Sequence, residues 1–304
     1  MMSAASIPAG RGDARVWLLA ARPATLPAAI VPVLVGSAVG AAQGQFRLAT
    51  FVAVLVAATL IQIGTNLAND YFDFRKGADT GTRLGPVRVT QSGLLAPRTV
   101  WLASLLTFGL AAVVGLYLAV VGGWPIVAIG VLSIAAGILY TGGPWPLGYH
   151  GLGDVFVFVF FGVVAVCGTA YLYTHLVGVD TFWVSVPVAL LVTAILVVNN
   201  LRDIDTDRTV GKRTLAVRLG QRRTRVEYVA LIAGAFVVQL GRWLAGSASI
   251  WFWLPWLTLP LAIRLVRLVW TAEGRPLNRA LVGTGQLHLI FGALLAVSLL
   301  LPHP

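Results

Sequence analysis

"LATFVAVLVAATLIQIGTNLANDYFDFRKG", residues 48–77, begins as an almost unbroken apolar run and ends by presenting Asp70 and Asp73 beside Asn66 and Asn69. The run is long enough for a helix that crosses a bilayer, which takes roughly 20 residues. Its acids lie at the C-terminal end, where the helix macrodipole disfavours negative charge unless a cation neutralises it. An apolar helix that ends in carboxylates therefore implies both a membrane and a bound cation.

The rest of the chain repeats the apolar theme. Of its 304 residues, 58% are hydrophobic and 11% charged, and the mean hydropathy is +0.86, outside the range of ordinary soluble domains. Nine apolar segments fall near 16–42, 48–72, 99–121, 124–141, 152–174, 181–201, 226–245, 248–270 and 279–301. They predict an all-α integral membrane protein with nine transmembrane helices in one domain over 1–304, preceded by a disordered tail at 1–12. The segment "VFVFVFF", 155–161, alternates like a strand. An open strand in hydrocarbon would leave its backbone groups unpaired, so it reads as helix. The first apolar run follows basic residues as a signal peptide does, but eight further runs favour a retained span. A single cysteine, Cys167, excludes an intrachain disulfide and reads as a packed apolar side chain.

The net charge of +11 is distributed by loop. The N-terminal tail and the stretches 75–98, 202–225 and 264–279 hold every Lys and Arg except Arg47 and Arg242. By the positive-inside rule these segments are cytoplasmic, which runs nine spans from a cytoplasmic N-terminus to an outside C-terminus in the cell inner (plasma) membrane. Such alternation points to a lipid bilayer rather than nucleic acid, and nothing in the sequence indicates a protein partner.

The sixth segment ends like the second, in "VVNNLRDIDTDRTVGKRTLAVRLG", 197–220. Asn66 precedes Asp70 by four residues, and Asn199 precedes Asp203 by four, with Asp73 and Asp207 one turn further on. Residues so spaced share a helix face, so each ending offers an amide and two carboxylates to one spot. Asp205 points off that face. Basic pairs follow, Arg75–Lys76 and Lys212–Arg213. Sparse oxygen ligands that leave room for a phosphate suit Mg²⁺, and two such clusters with basic neighbours would grip a diphosphate. A cation-coupled secondary transporter is the alternative from another class, but it would carry its acids near the bilayer midplane.

Together, "NDYFDFRKGADTGTRLGPVRVT" (69–90) and "NNLRDIDTDRTVGKRTLAVRLG" (199–220) resemble the aspartate motifs of the UbiA superfamily of intramembrane prenyltransferases. Within it, "ARPATLPAAIVPVLVG" (21–36), "RLGPVRVTQSGLL" (83–95), "YTGGPWPLGYHGLGDVFVFVFFG" (140–162) and the six-residue step from Asp73 to Asp79 are similar to the menaquinone-pathway 1,4-dihydroxy-2-naphthoate polyprenyltransferases. The resemblance implies helices around a central cavity open toward lipid, with the aspartate motifs at its cytoplasmic rim. It also implies transfer of a polyprenyl group from an isoprenyl diphosphate to 1,4-dihydroxy-2-naphthoate, with loss of CO2 and diphosphate, giving demethylmenaquinone. Another aromatic acceptor, such as 4-hydroxybenzoate, stays open.

The same resemblance makes Asp70, Asp73, Asp203 and Asp207 the Mg²⁺ ligands. Asn66, Asn69, Lys76, Arg83, Arg88, Tyr140, Asn199, Arg202, Lys212 and Arg213 become the substrate contacts. Asp154 is either a helix N-cap or a catalytic acid. Arg22 is either an anchor that snorkels to the headgroups or a substrate contact. Tyr71, Tyr140 and Phe160 offer ring faces to a carbocation, and His288 is expected to hydrogen-bond within the bundle. The loops 76–86 and 207–220 are expected to fold over the diphosphate.

Overall fold

Backbone groups in hydrocarbon must pair within their own segment, and the computed structural model, which describes residues 13–78, 84–246 and 250–301, is helical with no strand among them. The expected first span, 16–42, is broken. Helix α1 (Ala14–Ala21) ends at Arg22 in a left-handed conformation, a 3-10 turn follows at Pro23–Thr25, and α2 (Pro27–Ala42) leaves at 54° to the first piece. Pro23 makes the break, because it disfavours helix at the preceding Arg22, which turns left-handed, whereas Pro27 takes a first-turn position of α2 where its missing N–H costs nothing.

Next come α3 (Leu48–Arg75), α4 (Pro97–Gly122) and the shorter α5 (Trp124–Leu139). The alternating stretch is helical: α6 (Gly153–Val157) runs through a π-helical turn at Phe158–Val164 into α7 (Ala165–Thr174). Then follow α8 (Val179–Arg202), the short α9 (Ile204–Thr209), α10 (Leu215–Leu244), a 3-10 stretch Ile250–Thr258 that continues into α11 (Leu259–Thr271), and α12 (Leu277–Leu300). Among the described residues seven helices are long and apolar enough to cross a membrane, or eight if the bent first pair is one span. Helix α5, expected as a ninth, has 16 residues and a length of about 24 Å.

Helix α8 is the axis of the bundle, with 72% of its apolar window buried against 22% for α4. Around α8 pack α2, α7, α10 and α12. Helix α4 instead turns Leu102, Leu106, Leu110, Val113, Leu116 and Val120 outward, an apolar face that only lipid would cover. Small residues let the inner helices approach. A Cβ added at Gly162 would lie 2.1 Å from the Ala189 Cβ, and one at Gly36 would lie 2.5 Å from the Val166 carbonyl oxygen. The expected disordered tail at 1–12, Asp79 and Arg83 lie outside the described residues.

Candidate functional site

The C-terminal ends of α3 and α8, which carry the two acid motifs, come together at one end of the bundle, and Tyr149 joins them. Its hydroxyl donates to Asp73 Oδ1 at 2.8 Å, its carbonyl accepts from the Arg213 N–H at 3.0 Å, and the ammonium groups of Lys76 and Lys212 lie 4.8 and 5.3 Å from its ring centre. Nothing in the spacing of "PLGYHGLGD" announces this role. Its glycines make room, since Cβ atoms at Gly148 and Gly153 would come within 3.0 and 2.8 Å of Tyr140.

In the first motif Asp70 is 1% exposed and turned toward the loop 84–96, accepting from the backbone N–H groups of Val89 and Thr90 at 3.2 Å each. The Arg22 guanidinium stands 3.8 Å from its Oδ2. Asp73 receives Arg88 Nη2 at 3.0 Å. Asn66 donates to the Ala21 carbonyl and to Thr25 Oγ1, both at 2.9 Å, holding the broken first span against α3. Asn69 accepts from Thr141 Oγ1 at 2.8 Å, and Lys76 Nζ donates to the Thr141 carbonyl at 2.6 Å. Burial lowers the Lys76 pKa while Asp73 pulls it up.

The second motif is locked by Arg202, which is 3% exposed. It grips both Asp203 oxygens, donating from Nε at 2.8 Å and from Nη2 at 2.5 Å. It also donates to the Asn199 side-chain oxygen at 2.9 Å and to that of Asn278 at 2.8 Å. Asn278 in turn donates to the Leu84 carbonyl at 2.9 Å, so α12 and α8 pin the start of the same loop that Asp70 holds. Asp207 is buried 3.6 Å from Lys212 Nζ. Asp205 points out to solvent, 4.0 Å from Arg208. The Arg213 side chain is exposed.

Between the motifs lies a cavity of about 190 Å³. Of the expected residues, Asn66, Asn69, Asp73, Arg88, Tyr140, Asn199 and Lys212 line it, whereas Asp70, Asp154, Asp203, Asp207, Lys76, Arg202 and Arg213 do not. Arg22, for which the sequence leaves an anchor and a substrate contact both open, also lines it, as do Asn200, Phe156 and Phe161, which no sequence motif singles out. For Arg22 one signal existed: it precedes Pro23, and at φ 53 it holds a conformation rare for a side-chain-bearing residue. Tyr140 lines the cavity and packs against Gly148 and Gly153. Asp154, 6% exposed in the first turn of α6, has an Oδ2 without a hydrogen-bond partner and makes no side-chain cap.

Of the three expected ring faces, Phe160 and Tyr140 reach cavities, while Tyr71 stacks on Trp101 at 5.2 Å and packs against the buried cluster of Val16, Leu67 and Val100. His288 is buried in α12, and neither ring nitrogen has a hydrogen-bond partner, contrary to the expected bond within the bundle. Among the described residues no three His, Cys, Asp or Glu side chains are gathered so as to hold a metal as they stand. The carboxylates are instead met by Arg88, Arg202 and Lys212.

This arrangement belongs to a known fold. The chain superposes on a UbiA homolog from Archaeoglobus fulgidus bound to GPP and Mg²⁺ with a TM-score of 0.67 at 16% identity, covering 94% of this chain and 99% of that one. It matches the apo structure of a UbiA homolog from Aeropyrum pernix K1 with a TM-score of 0.68 at 19% identity, covering 90% and 96%. In sequence it is 42% identical over 290 residues to the 1,4-dihydroxy-2-naphthoate octaprenyltransferase of Mycobacterium tuberculosis, covering 93% of this chain and 96% of that protein. It is 40% identical over 261 residues to the enzyme of the same name from Escherichia coli, covering 84% and 85%. Residues 29–281 match the UbiA prenyltransferase family. With the family match spanning most of its length and its fold shared with solved members, the chain belongs to the UbiA prenyltransferase family.

Proposed function

We propose that the protein is a membrane-embedded aromatic prenyltransferase of menaquinone biosynthesis. It joins the polyprenyl group of an isoprenyl diphosphate to 1,4-dihydroxy-2-naphthoate. The observation that carries this reading is a cavity that changes character along its length. At the acid motifs Arg22, Arg88 and Lys212 converge with the amides of Asn69, Asn199 and Asn200, while Phe156, Phe161 and Val192 form an apolar interior. A diphosphate matches the first part and a hydrocarbon the second. The enzymes 42% and 40% identical to this chain carry that activity in their names.

The reaction breaks the allylic C–O bond, sends the electron pair to the diphosphate, and forms a C–C bond at the ring carbon that bears the carboxylate. That carboxylate leaves as CO2, so its electrons restore the ring and no ring proton need be removed. The product is demethylmenaquinone in its reduced form. Arg22, Arg88 and Lys212 place positive charge where the leaving oxygens gain negative charge, which stabilises the transition state when the donors are already oriented. Arg88 and Lys212 now rest on Asp73 and Asp207, and the incoming phosphate oxygens compete for them.

The oxygen-only donor set of Asp70, Asp73, Asp203 and Asp207 suits Mg²⁺, which would displace the basic groups that now stand beside these acids. Bound Mg²⁺ supplies charge neutralisation of the diphosphate. Phe156 and Phe161 keep water from the allylic cation and offer it their ring faces. The Tyr140 hydroxyl at the cavity and the buried Asp154 are suited to orienting the acceptor.

The chain crosses the plasma membrane nine times, with α5 and the bent first pair both counted, the motifs on the cytoplasmic side and the C-terminus outside. The positive-inside distribution of Lys and Arg supports this orientation. The test is an assay in detergent with Mg²⁺, an isoprenyl diphosphate and either 1,4-dihydroxy-2-naphthoate or 4-hydroxybenzoate. A prenylated naphthoquinol released with CO2 and lost on adding EDTA is expected. Product only from the benzoate would reassign the acceptor.

A further inference from the structure

Arg47 and Arg242, the two basic residues outside the basic loops, stand at the end of the bundle opposite the acid motifs, one just before α3 and the other in the last turn of α10. Arg47 is exposed and donates to the Leu172 carbonyl. Arg242 has no such outlet. It is 9% exposed, and its Nε and Nη1 are enclosed without a hydrogen-bond partner. Phe252, itself 6% exposed, presents its ring 4.8 Å from the guanidinium carbon. A ring face attracts the cation but fills none of its in-plane N–H groups. Asp180, in the first turn of α8, is the acid whose charge reaches Arg242, but it is exposed and gives Nε and Nη1 no bond. One turn deeper, Gln239 is wholly buried, and neither its amide nitrogen nor its oxygen has a partner. At this spacing on one helix the two side chains share a face, yet they do not bond each other.

We propose that Arg242 and Gln239 bind a phosphate oxyanion, which in the membrane is the headgroup phosphate of a phospholipid. A buried guanidinium without a hydrogen-bonded counter-charge is costly, and an ionisable group so placed in a membrane protein marks a site. The unfilled groups set the ligand. Arg242 offers N–H donors in one plane and Gln239 adds another, which suits the several oxygens of a phosphate. Gln239 Oε1 needs a donor in return, and the ammonium of an ethanolamine headgroup, or the hydroxyl of hydrogen phosphate, brings one. The level in the bilayer sets the source. Trp243 and Trp251, next to Arg242 and Phe252 in the chain, are 40 and 42% exposed, and tryptophans so placed on a spanning protein mark the headgroup level. Phosphates of lipids are the anions at that level. The site lies about 33 Å along α10 from Gly220, so it stands apart from the acid motifs and from the proposed transfer.

The test uses the full chain, delipidated in detergent and read by thermal shift. Three additions are compared: dioleoyl phosphatidylethanolamine, whose zero net charge gives the basic loops no general hold on it; dioleoylglycerol, with the same chains and no phosphate; and inorganic phosphate at constant ionic strength. The phospholipid should stabilise the wild type saturably and beyond dioleoylglycerol. Arg242→Met removes a charge that is uncompensated without lipid, so before any addition the variant should melt no lower than the wild type. It should then bind the phospholipid about tenfold or more weakly. Gln239→Leu, which puts a hydrocarbon in a buried place, should weaken binding in the same direction, and it carries the comparison alone if Arg242→Met does not fold. A saturable shift from inorganic phosphate that these variants lose would keep the oxyanion and make the free anion its source. Equal stabilisation of the wild type by dioleoylglycerol and the phospholipid, with no shift from inorganic phosphate, overturns the proposal. So does a phospholipid affinity that neither substitution changes.

Discussion

Arg22 shows how much a single backbone angle can reveal. A non-glycine residue held at φ 53 costs stability, and such strain persists where the surroundings require it. Here it aims a guanidinium at Asp70 and into the cavity. Arg22→Gly relieves the backbone and removes the charge, so the melting temperature should hold while kcat/KM for the donor falls roughly 10- to 100-fold. A parallel fall in both would make Arg22 a structural strut.

The acids differ among themselves for the same local reasons. Asp203 is clamped by a buried Arg202. Asp203→Ala leaves that charge uncompensated, which costs about 3–5 kcal/mol and should appear as a lower melting temperature together with lost turnover. Asp205→Ala should leave both unchanged, because its side chain is 79% exposed. Equal losses at 203 and 205 would refute the face assignment. The four-residue spacing made the positions of the motifs legible. It could not show that Asp70 turns to the N–H groups of Val89 and Thr90, because those donors arrive from a loop about twenty residues away.

At the scale of elements, solvent decided more than periodicity did. "VFVFVFF" has the alternation of a strand, yet it folds as helix with a π-helical turn, since only a helix satisfies its own backbone in hydrocarbon. The turn itself was not legible from the sequence. It places Gly162 against the Ala189 backbone of α8, with a Cβ-to-Cα approach of 2.3 Å for any larger residue. Gly162→Ala should therefore destabilise the bundle by about 1–3 kcal/mol. Gly109→Ala, whose new Cβ meets nothing within 4 Å, should be neutral or stabilising. Thermal unfolding of both variants in detergent makes the comparison. The break at Pro23–Thr25 is signalled only by Pro23, and an apolar run as long as 16–42 conceals it in any hydropathy profile.

Across the whole molecule, a helix short for a membrane span bears the most topological weight. Helix α5 has to return the chain to the site: Gly122, just before it, packs toward Leu172 at the far end, whereas Thr141, just after it, bonds Lys76 and Asn69 at the acid motifs. A helix of 16 residues spans about 24 Å, less than the roughly 30 Å hydrocarbon core, so the proposed ninth crossing requires that the bilayer thin or that the aromatic residues at its ends bridge the difference. Trp124 and Trp145, 79 and 54% exposed, stand at those two ends. In a Cys167→Ser background, which removes the one native thiol, Trp124→Cys should react with a membrane-impermeant maleimide on intact cells. Trp145→Cys should react only in inside-out vesicles. Labelling of both from one side would mean that α5 does not cross, and reversed labelling would place the acid motifs outside, where the distribution of Lys and Arg argues they are not.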